Sequence, residues 1–266
     1  MPDIHVLQNI LISAAREHLP NAAQAVQLRQ TAKADGSLVT QVDDKLQRVI
    51  REGLAARWPQ VPMLGEEMPS EQQDEQLKYS GQGLWVLDPL DGTTNFTVGF
   101  PMFGLSLGYV KNGETRMAVI YDPNREECFT AEKGKGAFLN GQRLQPVKLD
   151  RLSDCVANVD YKRLTGALAE HLVRCPPYRS QRNMGSCVLE WCWLAAGRIQ
   201  VYLHGGQQLW DHAAGHLILA EAGGCASRLE GGPIQSNMLA KQSTVAAGNP
   251  KLFRAWYQWV QKHSIA

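Results

Sequence analysis

Residues 88–96 read Asp-Pro-Leu-Asp-Gly-Thr-Thr-Asn-Phe and directly follow the apolar run Leu84-Trp85-Val86-Leu87. Four consecutive apolar residues that stop at an acidic residue predict a buried strand ending at Asp88. Pro89 fixes its own φ, and Gly92 tolerates backbone angles closed to other residues, so the turn after the strand can be tight and specific. The fold is therefore expected to hold a sheet that presents Asp88 and Asp91 at the end of a strand.

Asp88 and Asp91 have the chemistry of a magnesium site. Carboxylates are hard oxygen donors suited to Mg²⁺, and the backbone N–H groups of Gly92 and Thr93 can meet a phosphate at the same turn. Taken alone, an Asp-x-x-Asp-Gly turn favours a structural interpretation in which the aspartates cap backbone amides, because short acidic turns are common. The rest of the sequence has to decide between the two.

Two further acidic segments favour the metal site. Gly65-Glu66-Glu67 follows a short predicted strand, and Asp211 lies at the start of a predicted helix. Each has an ordinary explanation, since a helix N-cap stabilises by about 1 kcal/mol and exposed loops often carry glutamates. Three acidic segments are harder to dismiss together than singly, and as a set they indicate a shared cation site.

The overall composition is that of an ordinary globular protein. The chain has 266 residues, with 27 Lys+Arg and 26 Asp+Glu for a formal net charge of +1, and 44% of the residues are hydrophobic. These values exclude disordered, collagen-like and disulfide-scaffold classes and argue against a generally basic nucleic-acid binder. The six cysteines form no Cys-x-x-Cys pair, so free thiols are expected rather than a zinc site or a disulfide framework.

No segment predicts export or membrane insertion. Charged residues interrupt the first apolar region, and the longest stretch without Asp, Glu, Lys or Arg, Gly92–Val110, contains several glycines and a proline. Neither pattern is typical of a signal peptide or a membrane-spanning helix. The protein is expected to be soluble and cytoplasmic, with no membrane partner.

Hydrophobic periodicity predicts helices and strands along the whole chain. Helices are expected from Ile4 to about Ala25 with a break near Pro20, after Thr40, and over Cys187–Ala196, Asp211–Ala222 and Leu252–His263. Strands are expected at Pro62–Gly65, Leu84–Leu87, Phe103–Val110, Thr115–Tyr121, Glu127–Ala131, Val156–Val159, Ile199–Leu203 and Thr244–Ala247, with turns at Asn112-Gly113 and Asn140-Gly141. The charged segment Pro69–Gly81 is expected to be an exposed loop. Residues 1–266 are expected to form one domain of two closely packed subdomains, approximately 1–150 and 151–266.

Further motifs occur before and after the acidic turn in the chain. They are Lys33 with Val39-Thr40-Gln41-Val42-Asp43, then Gly65-Glu66-Glu67, Arg182-Asn183-Met184-Gly185-Ser186, Trp210-Asp211-His212-Ala213-Ala214-Gly215 and Glu221-Ala222-Gly223-Gly224. In order and spacing, these motifs and residues 88–96 resemble the inositol monophosphatase superfamily of Mg²⁺-dependent, lithium-sensitive phosphatases. The resemblance extends over roughly residues 1–250, and the acidic block of residues 88–96 is highly specific.

The resemblance implies a fold and an activity. The fold would be of the α/β class, a layered αβαβα sandwich that is usually assembled as a homodimer. The activity would be hydrolysis of a small phosphate monoester in a cleft holding two or three Mg²⁺ ions. Water would be the nucleophile, and no covalent phospho-enzyme would form.

The resemblance also implies a set of metal ligands. Glu66 and Asp88, with the carbonyl of Leu90, would bind one Mg²⁺, while Asp88, Asp91 and Asp211 would bind a second. Such a cluster is physically reasonable only with cations, because carboxylates a few ångströms apart repel one another and raise each other's pKa values. Two metal ions in one site can stabilise both the attacking and the leaving oxygen of an in-line displacement.

Catalytic and phosphate-binding roles follow in the same way. Glu66 and Thr93 would lie beside the attacking water, with Asp43 orienting Thr93. The amides of Gly92 and Thr93 would hold the phosphoryl group. Lys33 would lie on a loop that closes over the site, although an ordinary exposed lysine explains that residue equally well.

The substrate pocket is where the match to the family becomes weaker. Gly185, Ser186 and Cys187 would contact the sugar or inositol ring, together with Asp211. Seven residues before Asp211, many inositol-phosphate-hydrolysing members carry a Glu that bonds ring hydroxyls, whereas this chain has His204. A polyol or sugar phosphate resembling inositol 1-phosphate is therefore the first expectation. Fructose 1,6-bisphosphate, histidinol phosphate and 3′-phosphoadenosine nucleotides are the alternatives.

Two other classes of function stay open. His212 and His216 are four residues apart on a predicted helix, near His204, which is a spacing that can bind zinc. The Glu expected beside the first His of a zinc-protease helix is absent, so these histidines are more simply exposed or hydrogen-bonded. The second class is a regulatory protein of the same fold that associates with RNA-processing or transcription machinery.

Overall fold

The computed structural model describes residues 2–20, 30–32, 38–164 and 166–264. Its helices are α1 (Ile4–His18), α2 (Gln41–Ala55), α3 (Ser70–Leu77), α4 (Thr93–Thr97), α5 (Gly166–Arg174), α6 (Cys187–Ala195), α7 (Leu209–Glu221) and α8 (Pro250–Ser264). Short 3-10 helices cover Lys78–Gly81, Leu152–Asp154 and Tyr161–Arg163. None of the helices in the described ranges combines the length and the apolar character that crossing a membrane requires.

The strands form two large sheets and one small one. They are β1 (Gln30–Ala32), β2 (Leu38–Thr40), β3 (Met63–Gly65), β4 (Leu84–Asp91), β5 (Gly104–Lys111), β6 (Glu114–Asp122), β7 (Glu127–Glu132), β8 (Gly136–Leu139), β9 (Gln142–Arg143), β10 (Val156–Asp160), β11 (Ser180–Arg182), β12 (Val201–Gln207), β13 (Cys225–Ser227) and β14 (Gln242–Ala247). Strands β3 to β9 form a seven-stranded sheet in sequence order, and a five-stranded sheet has the order β11-β10-β12-β14-β13. Strands β1 and β2 pair with each other.

Alternate residues of each large sheet belong to different hydrophobic clusters, which shows that both faces are covered. In β6, Val119 packs with α1 and α2, whereas Ala118 and Ile120 pack with α6 and α7. In β14, Ala246 belongs to the cluster of α6 and α7, whereas Val245 packs with α5 and α8. Because side chains of a strand alternate between its faces, the layers are helices, sheet, helices, sheet and helices. The predicted αβαβα sandwich is confirmed.

The central helix layer is apolar on all sides because it is enclosed by both sheets. Helix α6 buries seven of its residues, including Trp191, and α7 buries nine. Gly215 allows these helices to touch, since a Cβ there would lie 2.4 Å from the Cβ of Trp191. This close packing sets the position of α7, whose first turn carries Asp211.

The predicted hairpin turns are confirmed in detail. Asn112 and Gly113 have φ of 58° and 70°, and Asn140 and Gly141 have φ of 47° and 80°. Two successive positive φ values are the geometry that Asn-Gly hairpins adopt. Every strand named from the sequence is present with shifted ends. The part of the first predicted helix beyond Pro20 lies outside the described residues.

Two predictions about local structure are wrong. The segment Pro69–Gly81 is not a loop, because it folds as α3 and a 3-10 helix, and its helical character was hidden by the absence of an apolar stripe. The strand at Leu84 does not stop at Asp88 but continues to Asp91 through an irregularity in its pairing with β5. The division into subdomains 1–150 and 151–266 stays a prediction.

Candidate active site

The acidic turn forms at the irregular end of β4. Asp88 pairs with Ser106 and Asp91 with Gly104, so two residues between the aspartates have no regular partner. Gly92 then adopts a left-handed conformation with φ of 87° and begins α4. A Cβ on Gly92 would lie 2.9 Å from the carbonyl oxygen of Met102, which adds a steric reason for glycine.

Asp88, Asp91 and Asp211 come together in space. One carboxylate oxygen from each residue lies within 4.8 Å of the other two. Among the described residues, this is the one cluster of at least three His, Cys, Asp or Glu side chains that could hold a metal ion. Two come from the end of β4 and one from the first turn of α7, so the cluster lies between the seven-stranded sheet and the central helices. Asp91 and Asp211 line an open cavity of ≈ 690 Å³.

Each carboxylate is oriented by its own hydrogen bonds. Asp91 Oδ2 accepts from the Ser186 hydroxyl at 2.6 Å and from the Val188 N–H at 2.9 Å. Asp211 Oδ2 accepts from the Gln208 N–H at 2.8 Å, in a capping box at the start of α7. Asp88 accepts from the Leu90 N–H through Oδ1, while its Oδ2 is buried without a hydrogen-bond partner among the described residues.

Burial and mutual repulsion raise the pKa values of the cluster. Burial raises the pKa of Asp88 well above its usual range, and the charges of Glu66 and Asp91 add to this. The pKa of Asp211 is also raised well above its usual range, first by burial and then by Asp91. Burial raises the pKa of Asp91 to about 6, even though its hydrogen bonds act in the opposite direction. The cluster is therefore unfavourable as three bare carboxylates.

The donor set of the cluster fits Mg²⁺. All its ligand atoms are carboxylate oxygens, which is the ligand type that a hard divalent cation takes, and buried Asp88 Oδ2 accepts no hydrogen bond from the residues that the structure describes. A cation would also offset the repulsion that raises the pKa values. Zinc is not favoured at the alternative histidine pair, since the ring of buried His212 lies next to Gln242 and the ring of partly buried His216 packs against Trp191.

Thr93 and Asp43 are in contact, as the resemblance implies. The Thr93 hydroxyl lies 3.0 Å from Asp43 Oδ1 and 3.1 Å from the Leu90 carbonyl oxygen, and it shares its proton between them. Asp43 is fully buried and also accepts from the backbone and hydroxyl of Thr40, forming the capping box of α2. Helix α2 thus fixes Asp43, and the Asp43 carboxylate orients the Thr93 hydroxyl.

Glu66 lies beside the cluster because of how β3 and β4 pair. The Glu66 N–H donates to the Leu87 carbonyl oxygen, one residue before Asp88. Two glutamines that the sequence analysis missed secure this turn. Gln73 on α3 donates to the carbonyls of Gly65 and Glu66 at 3.0 Å each, and Gln47 on α2 accepts from the N–H of the next residue, Glu67. Nothing in the sequence pattern marks either glutamine.

The segment before α6 forms another wall of the cavity. Gly185 has φ of 72°, and the Asn95 amide donates to the carbonyls of Met184 and Met102, which ties this segment to α4. Glu190 is a second functional position missed from the sequence. Its buried carboxylate accepts from the N–H groups of Met184 and Gly185 at 3.1 Å each, and burial raises its pKa to about 7.

One predicted contact with the substrate differs in the structure. Ser186 is fully buried and its hydroxyl donates to Asp91, so it orients a carboxylate and does not line the cavity. Gly92 and Thr93 both line the cavity, and the binding of a phosphate by their N–H groups stays a prediction. Lys33 lies outside the described residues.

Cys187 and His204 line the cavity on the side of the five-stranded sheet. Cys187 Sγ lies 3.7 Å from His204 Nε2, and burial raises the pKa of the thiol well above its ordinary value. The His204 ring is 2% exposed and has protein partners at both nitrogens, which are the Gly206 N–H at Nδ1 and Asp160 at Nε2. A neutral thiol and a fully bonded imidazole offer little nucleophilic chemistry.

The fold and this cluster can now be compared with known proteins. The model of the inositol monophosphatase family matches residues 3–264. The chain belongs to the inositol monophosphatase family. Among relatives in this family, an inositol-1-monophosphatase of Rhizobium meliloti (strain 1021) is 33% identical over 267 residues, covering 97% of this chain and 96% of its own.

Other members of the family carry a different name. The Nus factor SuhB of Escherichia coli (strain K12) is 34% identical over 273 residues, covering 95% of this chain and 94% of its own. The crystal structure of the extragenic suppressor protein SuhB from Bartonella henselae superposes with a TM-score of 0.83 at 29% identity, covering 97% of this chain and 98% of the other. The family resemblance stated from the sequence motifs is confirmed.

Proposed function

We propose that this protein is a Mg²⁺-dependent, lithium-sensitive phosphomonoesterase that hydrolyses a small polyol or sugar phosphate. The observation that carries the proposal is the cluster of buried Asp88 with partly buried Asp91 and Asp211 at the wall of an open cavity. A cluster with raised pKa values and only oxygen donors has its simplest use in binding divalent cations. Membership of the inositol monophosphatase family supports the same chemistry.

The metal ligands in this proposal are those implied by the family motifs. Glu66, Asp88 and the Leu90 carbonyl hold one ion, and Asp88, Asp91 and Asp211 hold a second. Bound Mg²⁺ would supply Lewis-acid stabilisation of the charge that develops on the phosphoryl oxygens and the leaving oxygen. The remaining chemistry belongs to the residues of the chain.

Thr93 and Asp43 position the attacking water. The Asp43 carboxylate holds the Thr93 hydroxyl at 3.0 Å, so the hydroxyl oxygen presents a lone pair toward the cavity. A water donating to this oxygen and to the Glu66 carboxylate is oriented for in-line attack on the phosphorus. Its oxygen forms the new P–O bond as the P–O bond to the leaving oxygen breaks, and one of its protons passes to Glu66. The leaving oxygen takes up a proton from water in the open cavity, so the products are an alcohol and inorganic phosphate. The N–H groups of Gly92 and Thr93 hold phosphoryl oxygens. No covalent phospho-enzyme is required.

The assay is phosphate release from a panel of small phosphomonoesters, including inositol 1-phosphate, fructose phosphates, histidinol phosphate and adenosine phosphates. Activity is expected to require Mg²⁺, to be inhibited by lithium, and to fall by at least about 10³-fold in Asp91→Asn. A circular-dichroism melt of the variant checks that it is folded. Full activity in EDTA, or an unimpaired Asp91→Asn variant, contradicts the proposal.

The relatives named Nus factor SuhB support a second candidate, association with transcription machinery. A protein that acts only by binding needs no metal cluster, so calorimetry with Mg²⁺ separates the candidates. Heat of Mg²⁺ binding that disappears in Asp91→Asn supports the phosphatase. A protein with neither phosphatase activity nor Mg²⁺ uptake supports a purely binding role. The homodimer and the cytoplasmic location stay predictions.

A further inference from the structure

The wall of the cavity facing the five-stranded sheet is cationic. Lys162, Arg163 and Lys241 line the same cavity as Asp91 and Asp211. The acidic residues come from β4 of the seven-stranded sheet and from α7, whereas the three cations come from ends of strands in the other sheet. The cavity thus has an acidic wall and a basic wall of separate structural origin.

The strand register brings the basic residues together. Asp160 at the end of β10 pairs with His204 in β12, and His204 pairs with Thr244 in β14. Lys162 and Arg163 follow β10 directly, in the 3-10 helix Tyr161–Arg163, and Lys241 directly precedes β14. All three cations therefore lie on the side of the sheet where β10 ends and β14 begins, next to the β12 residues that line the cavity.

Arg163 is held in place by contacts on two sides. Its Nη1 donates to Asp160 Oδ2 in a short ion pair. On the other side, a Cβ at Gly205 would lie 1.6 Å from the Arg163 carbonyl oxygen, so only glycine lets this turn pack against β12. The side chain is 49% exposed, and Arg163 lines the cavity while its Nη1 is bonded to Asp160.

His204 is the second residue that contacts the Asp160 carboxylate, beside Arg163. Because the Gly206 N–H donates to Nδ1, the ring proton lies on Nε2, which is 3.2 Å from Asp160 Oδ2. Burial lowers the pKa of His204, so the ring is neutral at pH 7. Burial alone would raise the pKa of Asp160, but the bonds from His204 and Arg163 outweigh it and lower the pKa to about 2.

The basic wall carries an excess of positive charge. Asp160 offsets Arg163, His204 is neutral, and neither Lys162 nor Lys241 has an ion-pair partner among the described residues. We propose that the substrate is a phosphate monoester bearing a second anionic group, a phosphate or a carboxylate, which Arg163, Lys162 and Lys241 bind while the scissile phosphate lies at the acidic cluster. This inference rests on the proposed phosphatase function and names its substrate class.

His204 acts in this proposal as a positioning residue. A glutamate at this position would place a second carboxylate against Asp160 and cancel one of the two uncompensated positive charges. The neutral imidazole instead donates to Asp160 and leaves that carboxylate to hold Arg163. A neutral imidazole at residue 204 therefore suits this wall to an anion better than a carboxylate would.

The test compares substrates that differ only in the second anion. One pair is fructose 1,6-bisphosphate against fructose 1-phosphate, and the other is 2-phosphoglycerate against glycerol 2-phosphate. We expect kcat/KM for the doubly anionic member of at least one pair to be about tenfold or more higher, mainly through KM. The pair that shows the preference identifies phosphate or carboxylate as the second anion. The preference is expected to shrink at high ionic strength.

Variants assign the preference to the basic wall. Lys241→Met and Lys162→Met keep the apolar stem but remove the charge, and each is expected to lower the preference ratio at least about threefold. His204→Glu is expected to lower the ratio as well. The matched control is Lys111→Met, an exposed lysine at the end of β5 outside the cavity, which is expected to leave the ratio unchanged.

The outcomes separate the two proposals. Hydrolysis of both members of each pair with equal kcat/KM, or a preference that Lys241→Met and Lys162→Met leave intact, overturns the second-anion inference and leaves the phosphatase proposal standing. Absence of Mg²⁺-dependent hydrolysis of every substrate overturns the phosphatase proposal itself, and the inference with it. A preference that falls in the wall variants and persists in the control supports both.

Discussion

Thr93 shows how a single side chain can serve both local structure and chemistry. It is the first residue of α4, follows the left-handed Gly92, and shares its hydroxyl proton between Asp43 and the Leu90 carbonyl. Asp43 is itself fixed by Thr40 at the start of α2, fifty residues earlier in the chain. The hydroxyl is therefore oriented by elements that are remote in sequence, and only its lone pairs remain for a further partner.

Removing the Thr93 hydroxyl is expected to impair turnover without unfolding the protein. Thr93→Ala should lower kcat about 10²-fold with little change in KM, since positioned proton-transfer and orienting groups contribute effects of this size. Steady-state phosphate release measures the change. Thr93→Ser keeps the hydroxyl and should retain most of the activity. Equal activity in the Ala and Ser variants would show that the hydroxyl plays no part.

At the scale of an element, helix α3 shows how a segment without a distinctive sequence pattern can support a predicted site residue. Its sequence is polar except for Leu77 and lacks an apolar stripe, so nothing in the local pattern opposes an exposed loop. Gln73 is its buried residue, and the side-chain amide donates to both carbonyls of the Gly65-Glu66 segment. The helix thus supports a predicted metal ligand by two hydrogen bonds.

Breaking these bonds is expected to weaken metal binding at Glu66. Gln73→Leu removes the side-chain donor from the carbonyls of Gly65 and Glu66, of which only that of Gly65 also accepts from the Met68 N–H, a loss of about 1–3 kcal/mol. The Mg²⁺ concentration for half-maximal activity should rise several-fold to about tenfold, because a displaced Glu66 binds metal less well. The exposed neighbour in the same helix supplies the control, Gln72→Leu. A parallel response of the two variants would rule out a role for Gln73 in supporting Glu66.

At the scale of the whole molecule, the charge distribution matters more than the net charge of +1. Asp88, Asp91 and Asp211 are concentrated at one wall of the cavity, although the chain as a whole is nearly neutral. Burial and mutual repulsion raise all three pKa values, so folding without cations carries a cost that depends on pH.

Asp91→Asn is expected to stabilise the metal-free protein relative to wild type by an amount that grows with pH. The unfolded chain releases this proton near pH 3.8, whereas the folded state keeps it until about pH 6. A raised acid pKa therefore costs stability as pH rises through that interval and no further above it. The difference in unfolding free energy should change by roughly 2 kcal/mol between about pH 4 and about pH 7.

Urea unfolding in a chelator measures this difference. Comparing variant with wild type at each pH cancels the contribution of buried His212 and His216, whose lowered pKa values act in the opposite direction. The exposed Asp44→Asn on α2 is the matched control. Mg²⁺ is expected to stabilise the wild type more than Asp91→Asn at pH 7. A variant effect that is independent of pH would contradict the raised pKa.

Much of the architecture follows from the sequence because it depends on local patterns. The apolar run at Leu84–Leu87 forms a buried strand, and the two Asn-Gly pairs form hairpin turns with positive φ. The family motifs also named the three aspartates that the structure brings together. In these cases one short segment carries enough information, since side-chain alternation and backbone freedom are properties of neighbouring residues.

What the tertiary structure alone decided is which polar side chains support the site. Gln73 and Glu190 have no distinctive local pattern, and their importance arises from the carbonyl and N–H groups that the fold places within reach. The basic wall likewise exists only because β10, β12 and β14 bring Arg163 and Lys241 to one edge of a sheet. The sequence determined the strands, the hairpin turns and most of the helices, because periodicity is local, and its motifs implied the layers and the acidic cluster through the family resemblance. The fold determined the basic wall of the cavity, because hydrogen bonds and charge pairing depend on distance in space.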